Sequence, residues 1–346
     1  MGLLPEWTPQ EAVILAWPDK HTDWQPHLAE VRAVYLAIIK QLNEGQTPVI
    51  LLISAAEISA LQSQLSAQAK VLLVKADYND TWVRDYGFLS CQSENGIQTL
   101  EFTFNGWGNK FDARKDNQIN QKVLANLCRL ALKSLPLIAE GGALEIDQHG
   151  HLLSTQLCLT NPQRNGVLSL AEYENVFAQQ LGTKRFTAFK NGHLAGDDTD
   201  GHIDTLVRFT PDKGLVIQSA YNRPEDEHFV DLGALVQECR SSLPEHQIYE
   251  LPLPFIVNEA GQRLPASYAN FLISNQQILL PIYGEPEDKL ALTLMQNAYP
   301  LHKIVPINCL PLVQQFGSLH CITMQVPVGT LKAEVLSQFS HGVSQI

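Results

Sequence analysis

Residues 191–209 read NGHLAGDDTDGHIDTLVRF, the densest polar run in the chain, and end in a strand-like LVRF. The segment opens a recognisable grouping: strands at 202–209 and 214–219, a helix at about 226–242, then a strand at 247–253. Working outward, the same strand–strand–helix–strand order returns about five times, once per 50 to 65 residues. No sequence identity links the units, but a fixed period of elements points to a repeat architecture closed into a ring. An amphipathic helix is expected at 26–44, with Leu28, Val31, Tyr35, Ile38 and Leu42 on one face. Strands are expected at 47–54, 70–76, 82–90, 184–189 and 303–308, and hairpins at 143–154 and 267–284. Ser54 with Glu57, and Ser169 with Glu172, have capping-box spacing for helices ending near 67 and 182. Further helices are expected at 118–134, at 285–298 and from about 330, and a last strand at LHCITMQVP. No linker or shift in composition divides the chain, so a single α/β domain over 1–346 is expected.

The chain has 346 residues, 45% of them hydrophobic and 17% charged, which excludes intrinsic disorder and collagen-like repeats. Lys plus Arg is 24 and Asp plus Glu is 36, giving 24 − 36 = −12. That balance, with no basic run, argues against nucleic-acid binding and suits a small cationic substrate. The six cysteines contain no CxxC pair and are too sparse for a disulfide scaffold. The N-terminus lacks a signal-peptide pattern and no apolar run reaches membrane-spanning length, so a cytoplasmic protein is expected.

Three segments could carry chemistry. GDDTDG lacks the ligand spacing of a calcium loop, since Gly196 and Val207 stand at its first and twelfth positions. In an extended segment His202 and Asp204 face the same side, a general acid/base arrangement. A solvated acidic loop, or a metal site of His193, His202 and the aspartates, would also account for these residues. Cys321 sits between apolar residues in a strand-like segment, where a lone cysteine is usually a small core residue. His320 would point to the opposite face of that strand, which argues against its being the base for Cys321. Asp85, read as mid-strand in WVRDYG, needs a partner, and Arg84 would face the other way.

WVRDYG (82–87), EGGALEID (140–147), GDDTDGHIDTLVRF (196–209) and GSLHCITMQVP (317–327) occur in the order seen in the agmatine deiminase and bacterial peptidyl-arginine deiminase family, and the chain resembles that family. LAWPDKHTDW and FNGWGNKF extend the resemblance, which runs from about residue 5 to about 330. The resemblance implies the fold of the guanidine-modifying (pentein) superfamily, a five-bladed α/β propeller of ββαβ units around a central channel. It implies hydrolysis of a guanidinium to a urea with release of ammonia, without metal or organic cofactor. It further implies Cys321 as nucleophile, His202 as general acid/base, Asp85 and Asp204 as the guanidinium grip, Asp198 as a further active-site carboxylate, and Trp82 as an aromatic wall against the substrate methylenes. Phe88 and Met324 depart from common family residues at positions that could shape the pocket wall. Glu140 is either a supporting residue or part of a structural turn.

Agmatine is the expected substrate, free or peptidyl arginine the nearest alternative. Arginine would require a cation for its carboxylate, for which Arg84, Arg114 and Arg208 are candidates. An amidinotransferase or a non-catalytic binding protein would be more distant readings. No nucleic-acid or membrane partner is expected, and a symmetric homodimer is a reasonable expectation.

Overall fold

A computed structural model describes residues 1–346. The fold is mixed α/β and contains five separate sheets. In each, two strands pair antiparallel and a third joins parallel, usually after a helix. The second sheet pairs Glu145–Ile146 with His151–Thr155, then receives Arg185–Phe189 after the helix Leu170–Leu181. The third pairs Val207–Phe209 with Gly214–Gln218 and receives Gln247–Leu251 after Phe229–Ser242. The fourth pairs Leu272–Ser274 with Gln277–Ile282 and receives Lys303–Asn308 after Asp288–Ala298. In the first, Leu89–Ser93, Gly96–Thr103 and Lys133–Ile138 follow the same rule.

The fifth sheet joins the two ends of the chain. Met324–Pro327 lies antiparallel to Gln10–Ala16, which pairs parallel with Val49–Ile53 after the helix Leu28–Glu44. Gln10–Ala16 and Val49–Ile53 are almost wholly buried, and their near-continuous apolar sequence is what a strand covered on both faces requires. No helix is long and apolar enough to cross a membrane.

The structure corrects the expected elements where side chains compete with the backbone ladder. The strand at 202–209 shortens to Val207–Phe209. Ahead of it the Asp197 carboxylate accepts the N–H groups of Thr199 and Gly201, and Ile203–Thr205 forms a 3₁₀ turn. WVRDYG is a single helical turn, Val83–Tyr86, rather than a strand. It stops at Gly87, where a Cβ would lie 2.5 Å from the Val83 carbonyl oxygen. Cys321 lies in a turn before Met324–Pro327, closed by the Thr323 N–H on the His320 carbonyl at 3.1 Å.

The helix expected at 118–134 breaks at Val123 into short turns, and the strand Lys133–Ile138 follows them. Asn120 there donates to the Tyr86 carbonyl, a tertiary bond that periodicity does not encode. Ser54 and Glu57 make no capping box. Ser54 donates instead to Asp19 and Glu57 takes Arg32, leaving only Ile58–Gln62 helical. The Ser169–Glu172 box is present as expected.

Candidate active site

A cavity of about 340 Å³ opens where the loops of several sheets meet. Trp82, Asp85, Asp198, His202, Asp204 and Cys321 all line it, although they come from three distant segments of the chain. Trp82 packs at 5.2 Å between ring centroids against Trp24 and donates its indole N–H to Asp80. Gly317 runs so close beneath Trp82 that a Cβ there would come within 2.2 Å of the ring. Glycine stands at 317 for that steric reason.

Asp85 is held at both oxygens. Its Oδ1 accepts the Gly142 backbone N–H at 2.9 Å, and its Oδ2 accepts the Trp107 indole N–H at 2.9 Å. Trp107 adopts a left-handed backbone with φ 55°, a conformation costing a bulky residue about 1 kcal/mol. The bond to Asp85 is what that conformation secures. Gly142 touches three of the chemical groups at once. A Cβ there would lie 2.7 Å from His202 Nδ1, 2.8 Å from Asp85 Oδ1 and 3.1 Å from Asp204 Oδ2. The second glycine of EGG therefore lets two carboxylates and an imidazole converge.

His202 Nδ1 is 3.6 Å from Asp85 and its Nε2 is 3.7 Å from Glu140. Burial alone would lower its pKa. The Asp85 carboxylate, with Cys158 and Glu140, outweighs burial and holds it well above the usual histidine value. Glu140 gives its oxygens to Arg164 at 2.9 and 3.0 Å, so its position beside His202 is fixed. Burial would raise Glu140, yet His202 and Arg164 keep it below the ordinary range. Glu140 is thus a fully buried neighbour of His202 and also opens the turn Gly141–Ala143, its carbonyl accepting the Ala143 N–H at 3.1 Å.

Cys321 is 7% exposed, with its Sγ 3.4 Å from Asn270 Oδ1. Burial, then Asp204 and Asp85, push its thiol well above the ordinary value. The free site therefore favours the neutral thiol. Asp198 is pushed up to about 7 by burial and by neighbouring Asp197. Asp204 accepts from His320 Nδ1 at 2.6 Å, while its Oδ1 is buried without a partner. Burial would raise Asp204, but His320 keeps it low.

Other expected roles change. His193 lines a separate surface depression with His228 and Asp231, so the metal set of His193, His202 and aspartates is not assembled. The donor atoms of Glu140, Cys158 and His202 lie within 4.8 Å of one another, but Arg164 already occupies Glu140. Arg84 and Arg208 are buried outside the cavity, engaged with Glu6, Gln325 and Glu145. Arg114 is exposed and paired with Asp112. None of the three lines the cavity. Reasoning from the sequence missed Trp107, Gly142, Asn270 and Arg164. Only NGWG and EGG hinted at the first two, through glycine-rich turns.

A family model described as Porphyromonas-type peptidyl-arginine deiminase matches residues 2–327. The chain belongs to that family. Among solved structures, a chain of Porphyromonas gingivalis described as a "Putative Arginine Deiminase" is 38% identical, with TM-score 0.89 over 95% of this chain and 99% of that one. A C. jejuni agmatine deiminase, a cysteine-to-serine variant with substrate bound, is 30% identical, with TM-score 0.87 over 96% and 97%. A protein of Vibrio parahaemolyticus named "Putative agmatine deiminase" is 30% identical over 93% of this chain and 95% of its own. The family match thus covers every lining residue of the deiminase cavity described above.

Proposed function

We propose that the protein is an agmatine deiminase that converts agmatine and water to N-carbamoylputrescine and ammonia. One observation carries the choice of substrate. The cavity is lined by eight aspartates (23, 80, 85, 112, 116, 197, 198 and 204) and by no lysine or arginine. No lysine or arginine there can pair with the carboxylate of arginine, whereas a second cationic end meets carboxylates around the cavity.

In this reading Asp85 and Asp204 take the planar fork of guanidinium N–H donors, and Trp82 flanks the methylene chain. The bound cation offsets the two carboxylates that suppress Cys321 ionisation, so the thiol releases its proton to solvent and the thiolate forms when substrate is seated. Its sulfur adds to the guanidinium carbon. His202, carrying its proton at neutral pH, protonates the departing nitrogen, and ammonia leaves a thiouronium ester. His202 then takes a proton from water, which adds to the same carbon. Collapse breaks the C–S bond and returns the thiolate, and the added hydroxyl gives its proton to solvent as the urea is freed. Every step uses groups of this chain, with no metal or organic cofactor in the scheme.

The five sheets, the last closed by both chain ends, support a five-bladed propeller of ββαβ units forming one domain over 1–346. Six free cysteines, all buried, suit a reducing cytoplasm. A symmetric homodimer remains part of the proposal.

Incubating agmatine, free arginine and an arginine peptide with wild type and Cys321→Ala, in EDTA-containing buffer, tests the assignment. Ureido product from agmatine, abolished in the variant, is expected. Preferential turnover of either arginine substrate would overturn the substrate assignment, and product from Cys321→Ala would overturn the nucleophile.

A further inference from the structure

Glu6, in the segment before the first long strand, reaches the buried centre of the molecule. Its carboxylate meets Arg84 at 3.1 Å, Arg208, and His320 Nε2 at 2.6 Å. The other ring nitrogen of His320 is 2.6 Å from Asp204. The ring is 1% exposed and its backbone N–H is fixed by Asn270. A carboxylate oxygen can only accept, so an acceptor at each nitrogen requires a ring that donates from both. The charge so placed satisfies Asp204 Oδ2 and leaves the unpartnered Oδ1 for the guanidinium.

We propose that Glu6 and His320 are positioning residues: Glu6 holds His320 doubly protonated, and His320 keeps Asp204 ionised and oriented for its cationic substrate. The N-terminal segment thereby acts on the chemistry without lining the cavity. This rests on the deiminase reading for its kinetic consequence only.

Other charges face the pair from each packed element. Arg84, on the helical turn Val83–Tyr86, and Arg208, on the strand Val207–Phe209, both oppose a second proton on His320 once Glu6 is neutralised. Arg208 Nη2 is 3.2 Å from His320 Nε2, and Glu145 takes Arg208 on its other side. Asp85, His202 and Cys321 are the titratable groups facing Asp204 from the cavity side. Neutralising Glu6 should therefore remove the ring's second proton and leave Asp204 easier to protonate.

The test compares wild type, Glu6→Gln, Glu6→Asp and His320→Asn. The acid limb of kcat/KM for agmatine should move up by about one pH unit in Glu6→Gln and His320→Asn. On the acid side of both limbs this appears as a loss of about tenfold. Glu6→Asp should restore the wild-type limb. In protein labelled with ¹⁵N at histidine, the one ring signal absent from His320→Asn should show a proton on each nitrogen, and Glu6→Gln should lose one of them. Uniformly reduced activity with an unmoved limb would mean a merely structural role and overturn the proposal. A His320 ring with one proton in wild type would overturn it as well. If Glu6→Gln does not fold, His320→Asn and the wild-type spectrum decide. Absence of agmatine turnover by wild type would count against the substrate assignment, while the spectrum still reports on the pair.

Discussion

Cys321 lies in an environment that opposes its own activation. Burial and the carboxylates of Asp204 and Asp85 all disfavour a thiolate in the free protein. An uncharged alkylating reagent should therefore react slowly, while a haloacetamidine of similar intrinsic reactivity brings the missing cation. Inactivation by the amidine at least tenfold faster than by iodoacetamide is expected at neutral pH. Equal rates would show that the carboxylates do not control the sulfur. At this scale the sequence revealed residue types but not their company. His202, Asp204, Asp85 and Cys321 could be nominated because a polar group among apolar residues needs a reason. The bonds that organise them, from Gly142 and Trp107 to Asp85 and from Arg164 to Glu140, span from 22 to 57 residues of chain. No local pattern announces such pairs.

Among elements, legibility followed burial. Apolar runs such as Val49–Ile53 and the alternating faces of Leu28–Glu44 could be read because burial alone specifies them. The segments that carry the site could not, because side chain-to-backbone bonds replace ladders there. Asp197 folds its own loop, and the turn at Val83–Tyr86 depends on a glycine. Helix starts divide in the same way. Ser54 spends its hydroxyl on Asp19, a residue 35 positions away, whereas Ser169 has only its own helix to bond. Ser169→Ala should accordingly lower Tm by about 1–2 °C and leave kcat unchanged. An unchanged Tm would show that the box contributes nothing to cooperative stability.

The molecule as a whole concentrates negative charge around one cavity. Burial raises Asp80 and Asp198 to about 7 and Asp116 to about 8, with neighbouring acidic groups adding to it. For carboxylates raised in the fold, the stability contribution is present below the unfolded value near 4. It is lost as pH rises through about 7 to 8. A bound dication offsets that loss by pairing with the ionised forms. The rise in Tm caused by saturating agmatine should therefore be larger at pH 8 than at pH 6, and a larger rise at pH 6 would contradict this electrostatic account. The central claim is covalent chemistry at Cys321, and mass spectrometry of acid-quenched turnover tests it most directly. The peptide containing Cys321 is predicted to carry the mass of agmatine less ammonia during turnover and to lose it when substrate is exhausted. Product formation with Cys321 unmodified throughout, or with the adduct on Cys158, would contradict the account.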